Sequence, residues 1–353
     1  MALPPTGNAS AIFEGFAVET NDGFVFTVKG LVHPAGRVIA YLRYVPDPSS
    51  DRERGGSRFR RVYHFEEQET ILLARRPGYL VNDPMLGVPV QAVPREDIRL
   101  VYDPCLRLQR LVETGPADSL EETALALAEL FSVSAGVSSH ALGLSGSILV
   151  GLHQPSSDID IVVYGEQEGR AVHGALSDLL VDPQSPVHRP HGAELAAIHE
   201  THRTDTPLSA ADFARLQAEK VNEGRFAERS YFVRFVKRPE EVGERYGDPR
   251  YETLGPITIR ARVHDQRESM FTPCRYTIGE ATSLDGAPIE DLCQIVSFRG
   301  RFADQAKTGD CILARGGLEL VVPLRAPCFL RLVVGGAPGD YLKSVPRDGW
   351  HED

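Results

Sequence analysis

The longest apolar runs of this 353-residue chain, such as Ile148 to Leu152 and Ile159 to Tyr164, fall far short of the roughly 18 residues of a membrane-spanning helix. The fold must therefore be assembled from short elements, and no membrane partner is expected. With 42% hydrophobic and 25% charged residues the composition is that of a globular protein, so disorder cannot dominate. The length suggests two or three folding units, each able to bury its own core. A net charge of −11 argues against a surface that grips nucleic acid everywhere, and leaves room only for local basic patches. Met1 to Ser10 shows neither a basic region nor an apolar core, so no secretory signal is expected and the address is cytoplasmic by default. Five cysteines, none in a C-x-x-C spacing, are expected to be reduced and mostly in cores.

From Ala17 to Tyr63 the runs Phe24 to Val28 and Val38 to Leu42 are rich in β-branched and aromatic residues, which predicts a small sheet. Asp51 to Arg61 follows with five arginines against two acids, and Gly55-Gly56 at its centre predicts a mobile basic loop. Helices are predicted at Pro94 to Tyr102, Pro104 to Glu113 and Leu120 to Phe131, the last with a Ser119/Glu122 capping box and a stop at Gly136. Further helices are expected at Gly169 to Leu180, Ala193 to His202 and Ser209 to Asn222, and a strand at Tyr231 to Lys237. From Gly255 onward, short β-like runs separated by Gly, Pro and Asp predict a small antiparallel barrel or sandwich.

The most informative stretch is Gly143 to Gly165. Ala141 to Ser145 and Ile159 to Tyr164 read as neighbouring strands, with Gly146-Ser147 ending the first and opening a helix. Backbone N–H groups at such a helix start, with the Ser147 hydroxyl, offer a phosphate site that Gly146 lets a ligand approach closely. Asp158 and Asp160, two apart on one strand, would point to one face. Two hard oxygen donors there suit Mg²⁺ shared with substrate phosphates, the arrangement that phosphoryl or nucleotidyl transfer needs.

Gly-Ser, a gap of about ten residues and then Asp-x-Asp on the next strand resembles the DNA polymerase β-like nucleotidyltransferase superfamily. The whole chain also looks like predicted stand-alone nucleotidyltransferases of archaea. The resemblance implies an α+β molecule: a central mixed-sheet nucleotidyltransferase domain (93–250, with the shared fold over about Leu120 to Lys237), flanked by a small N-terminal β-rich module (1–92) and the C-terminal β-module (251–353). It implies that Gly146 and Ser147 bind the triphosphate of an NTP, ATP included, and that Asp158 and Asp160 are catalytic and hold Mg²⁺ or Mn²⁺. Lys220, Arg234 and Lys237 are candidates to neutralise the phosphates.

One departure stands out. The superfamily places a third carboxylate on a later strand, whereas Tyr231 to Lys237 carries Arg234 and no acid; Glu228 or Glu240 could serve only if the strand boundary shifts. The expected reaction moves NMP from an NTP to an acceptor hydroxyl, with RNA, captured by the Arg52 to Arg61 loop, as one candidate acceptor. The alternatives are a nucleotide-sensing or RNA-binding scaffold without turnover, and an antitoxin-like enzyme that modifies a partner protein.

Overall fold

The computed structural model describes residues 12–202 and 207–345. In chain order its first elements are β1 (Ala17–Thr20), β2 (Val25–Val28), β3 (Arg37–Pro46), β4 (Arg52–Arg54), β5 (Ser57–Arg61), α1 (Phe65–Arg75), β6 (Leu80–Asp83), β7 (Val88–Pro94) and β8 (Ile98–Tyr102). Next come α2 (Pro104–Thr114), α3 (Ser119–Ala135), β9 (Leu142–Leu144), α4 (Gly146–Leu149), β10 (Ile159–Tyr164) and α5 (Glu166–Leu179). They are followed by β11 (Val187–His188), α6 (Gly192–His202), α7 (Ala210–Glu219), β12 (Glu223–Phe226) and β13 (Arg229–Val236). The last are β14 (Arg250–Asp265), β15 (Cys274–Ser283), β16 (Leu292–Ser297), β17 (Cys311–Val322), β18 (Phe329–Val333) and β19 (Tyr341–Val345). The protein is thus α+β, with three sheets among the described residues.

Two compact units emerge. One holds the described residues up to Pro84, Val88–Ala175 and Phe226–Tyr246; the other holds Met85–Gly87, the described residues of Leu176–Arg225 and those from Gly247 onward. The sequence-based boundaries at 92/93 and 250/251 instead separate the N-terminal sheet from β9 and β10. The first unit keeps these together for a physical reason. Val162, Tyr164 and Val236 are buried in the same core as Phe16, Phe26 and Val28, so β10 and β13 pack on the N-terminal sheet.

That N-terminal sheet is larger than expected, with eight strands in the order β4-β5-β3-β2-β1-β8 and with β7 joining β3 to β6. Pro94 to Tyr102, expected as a helix, is a short 3₁₀ turn followed by β8, which pairs with β1. Tertiary pairing and its Ile-x-Leu-Val-Tyr content outweigh the helix-start signal of Pro94. The basic loop is also a correction. It is the hairpin β4–β5, and Gly55 and Gly56, at φ +58° and +78°, form its two-residue turn.

β10 pairs antiparallel with β9 and parallel with β13, with Asp160 opposite Phe232 and Val162 opposite Arg234. α3 covers this sheet through Phe131, whose ring meets Tyr231 edge-on at 6.1 Å. Its N-cap is Asp118, which accepts from the Leu120 and Glu121 amides; Ser119 is already helical. Gly136 ends it in the left-handed conformation, as expected.

In the second unit β14, β15, β16, β18 and β17 pair in a closed ring, with β19 added to β17. The expectation of an antiparallel module fails at one pairing, since β16 and β18 run parallel. The runs Cys311 to Ala314 and Leu318 to Val322 join as one strand, because β17 pairs with β14 along its length. Tyr276 fills the core, its hydroxyl donating to the Phe302 carbonyl at 2.6 Å and accepting from the Gln305 amide at 3.0 Å. Cys274 and Cys311 are buried, but Cys293 and Cys328 are exposed, which corrects the expectation of mostly core thiols. Among the described residues no helix is long and apolar enough to cross a membrane.

Candidate active site

Asp160, Val162 and Tyr164 share one face of β10 by strand alternation. The latter two are core residues against the N-terminal sheet, so Asp160, one step further along, meets the edge of that sheet. A cleft opens there, lined by Gly146, Ser147 and Asp160 together with Arg43, Tyr44 and Arg61. Gly146 and Asp160 are brought together as the sequence motif requires. Gly146 adopts φ +61°, and a Cβ on it would lie 1.9 Å from Asp160 Oδ2, so neither the conformation nor the space admits a side chain. The Ser145 amide donates to the Asp160 carbonyl at 2.8 Å, fixing the register.

Ser147 is buried in the cleft wall, and its hydroxyl makes no hydrogen bond among the described residues. α4 is a single turn of four residues, too short for an appreciable helix dipole. Phosphate binding here would rest on the turn amides and the Ser147 hydroxyl. The chain after Ser147 is held from outside by three arginines. Arg107 donates to the Ile148 carbonyl at 3.1 Å, Arg54 to Val150 at 2.8 Å and Arg52 to Leu152 at 2.5 Å. Leu149, Val150 and Leu152 pack on Ala17, Val25, Tyr44 and Phe59 of the N-terminal sheet. Arg52 and Arg54 therefore hold the segment that follows the Gly-Ser turn, which sequence reasoning missed.

Burial pushes the Asp160 carboxyl above the usual carboxylate range; the charges of Arg234, Arg61 and Arg43 pull it down, and that of Asp158 pushes it up. Asp158 stands exposed one residue before β10, so strand alternation does not set its direction, contrary to expectation. The three expected phosphate ligands all lie outside the cleft lining. Arg234 shares the Asp160 face but is bound at 2.7 Å to Glu14, a fully buried carboxylate. Lys237 pairs with Glu166 at 2.7 Å. Lys220 belongs to the other unit, where it is buried and pairs with Glu223 at 2.7 Å.

A third carboxylate is not where the resemblance puts it. β13 begins at Arg229, and Glu228 is exposed in the turn before it at φ +64°; Glu240 is exposed after it. Beside Asp160 on β13 stand Phe232 and Arg234. Glu14 approaches from the N-terminal segment, but Lys29, Arg234 and the Gly30 amide occupy it. Burial alone would raise its pKa, yet those partners hold it lowered. Among the described residues no group of three or more His, Cys, Asp or Glu could hold a metal ion. Of the two aspartates only Asp160 lines the cleft, so a cation there would draw its remaining ligands from phosphate oxygens and not from protein groups alone.

Uncharacterized protein MJ1086 of Methanocaldococcus jannaschii is 30% identical over 339 residues, which span 92% of this chain and 97% of that protein. The chain belongs to its family. A match of that extent includes residues of both units. No family model and no solved structure matches.

Proposed function

We propose that the protein is a Mg²⁺- or Mn²⁺-dependent nucleotidyltransferase that moves NMP from an NTP to an acceptor hydroxyl and releases pyrophosphate. The observation that carries the reading is the contact of Gly146 with the Asp160 carboxylate, beside a buried Ser147 hydroxyl that makes no hydrogen bond among the described residues. The candidate phosphate ligands and the candidate cation ligand Asp160 thus stand on adjacent elements that line one cleft. Asp158 and Asp160 would hold the cation, and the Gly146–Ser147 turn would hold phosphate oxygens. The cation would neutralise charge that develops on the transferring phosphate. An NTP substrate fits a cytoplasmic address.

A second reading, a nucleotide sensor or RNA-binding scaffold without turnover, is favoured by one observation. The strand that should bring a third carboxylate brings Phe232 and Arg234 to Asp160. Incubating the purified chain with labelled NTPs, Mg²⁺ and total cellular RNA and protein separates the readings. Pyrophosphate release with label in RNA supports transfer to RNA, and label in a protein supports a protein-modifying enzyme. Binding of NTP with no pyrophosphate from any mixture would leave the scaffold.

A further inference from the structure

Arg43 and Arg61 differ from the other arginines around them. Arg52 and Arg54 bond backbone carbonyls, Arg54 also pairs with Glu19, Arg58 pairs with Glu53, and Arg60 pairs with Asp47 and Glu67. Arg43 and Arg61 make no side-chain hydrogen bond and no ion pair among the described residues. Both guanidinium groups lie against one ring, at 5.3 Å and 4.5 Å from the centroid of Tyr63. Both line the cleft that holds Ser147 and Asp160.

Two like charges gathered in a partly buried cleft repel each other and lose hydration. Burial, and then the charge of Arg61, hold the Arg43 guanidinium below its usual pKa. Arg61 Nε is buried with no hydrogen-bond partner among the described residues, a donor on a charged group that lacks an acceptor there. Arranged guanidinium forks recognise phosphate oxygens above other acceptors. We propose that Arg43 and Arg61 form a clamp for the polyphosphate chain of a nucleoside di- or triphosphate, in the cleft that Ser147 also lines. The clamp rests on the nucleotide reading and extends it to the N-terminal sheet, which supplies both residues. Arg61 thereby parts company with Arg58 and Arg60 of the same hairpin.

The test measures equilibrium binding of inorganic tripolyphosphate and of ATP, each with Mg²⁺, to the full chain and to Arg43→Gln, Arg61→Gln and Arg58→Gln. Losing one charge-assisted contact should weaken both ligands on the order of ten- to a hundredfold in the first two variants. Arg58→Gln should bind as the wild type. Arg61→Lys keeps the charge and loses the fork, so it should fall between wild type and Arg61→Gln, and it serves if a glutamine variant fails to fold. Wild-type affinity in Arg61→Lys together with either glutamine variant overturns the clamp, as does a wild type that binds neither ligand. Loss of affinity for a 5′-hydroxyl RNA oligonucleotide, with tripolyphosphate binding intact, also overturns it by assigning the arginines to an acceptor. Polyphosphate binding lost in the variants while the wild type releases no pyrophosphate from any of the acceptor mixtures leaves the clamp standing and removes the transferase reading.

Discussion

A carboxylate that burial disfavours touches a glycine that could be nothing else, and both facts are open to measurement. Because the pKa of Asp160 is raised, ionising it costs the folded state stability. That cost is present above its folded pKa and vanishes below the unfolded value of about 4. Asp160→Asn in a metal chelator should therefore be at least as stable as the wild type at pH 7 to 8, and its margin should shrink as pH falls toward about 4. Thermal unfolding across pH checks this; a variant markedly less stable at pH 7 contradicts it. Adding Mg²⁺ and NTP should stabilise the wild type and not the variant. Gly146→Ala meets both the positive φ and the Asp160 carboxylate, and should cost about 1 to 3 kcal/mol with loss of nucleotide binding, measured by urea unfolding and equilibrium dialysis. Gly146, Ser147 and Asp160 were legible because their spacing encodes a turn and a strand. Arg43 was not, since within Val38 to Tyr44 it looks like any charge on a half-exposed strand.

The hairpin β4–β5 shows how an element can be visible and still be misread. Gly55-Gly56 between two short runs is a hairpin signal, but Arg-Glu-Arg and Ser-Arg-Phe-Arg-Arg lack the apolar alternation that marks strands, so charge suggested a mobile loop. Its partners lie far along the chain. Arg54 bonds the Val150 carbonyl and the Tyr102 hydroxyl and pairs with Glu19, a carboxylate 1% exposed, at 2.9 Å. Arg99 and Tyr102 also hold Glu19. Arg54→Met removes one partner of a buried charge and should destabilise by about 2 to 4 kcal/mol. It should also weaken NTP binding, because Val150 follows the Gly-Ser turn. Chemical denaturation reads the first effect and equilibrium dialysis the second; a variant with wild-type stability would show that Arg99 and Tyr102 suffice for Glu19.

For the whole molecule, turn spacing made the C-terminal β-module legible, while its closure was not. Closure depends on β14 pairing with β17, with partners from Arg262↔Cys311 to Arg250↔Val322 far apart in sequence, and on a parallel β16–β18 contact that no local pattern announces. Nor could local patterns reveal that β10 buries Val162 and Tyr164 among residues near the N-terminus, which is why three domains were expected where two units form. The second unit carries a further consequence. Its principal core, including Ile259, Val263, Tyr276, Ile295, Ile312, Leu332 and Leu342, comes entirely from chain beyond Gly247, whereas α6 and α7 build a separate small cluster around Phe213 and Leu216, against which Tyr341 of β19 packs. The fragment Gly247–Asp353 should therefore unfold cooperatively on its own, at lower denaturant than in the full chain, since it forgoes the Asp212–Lys343 pair and the Met85 carbonyl that receives the Tyr251 amide. A fragment starting at Leu254 removes the β14 residues that pair with Leu320, Val321 and Val322, and should be weaker still. Cooperative urea transitions followed by circular dichroism measure both. If Gly247–Asp353 shows none, the segment Leu176–Arg225 is a required part of the core, and the closed ring of strands does not stabilise itself.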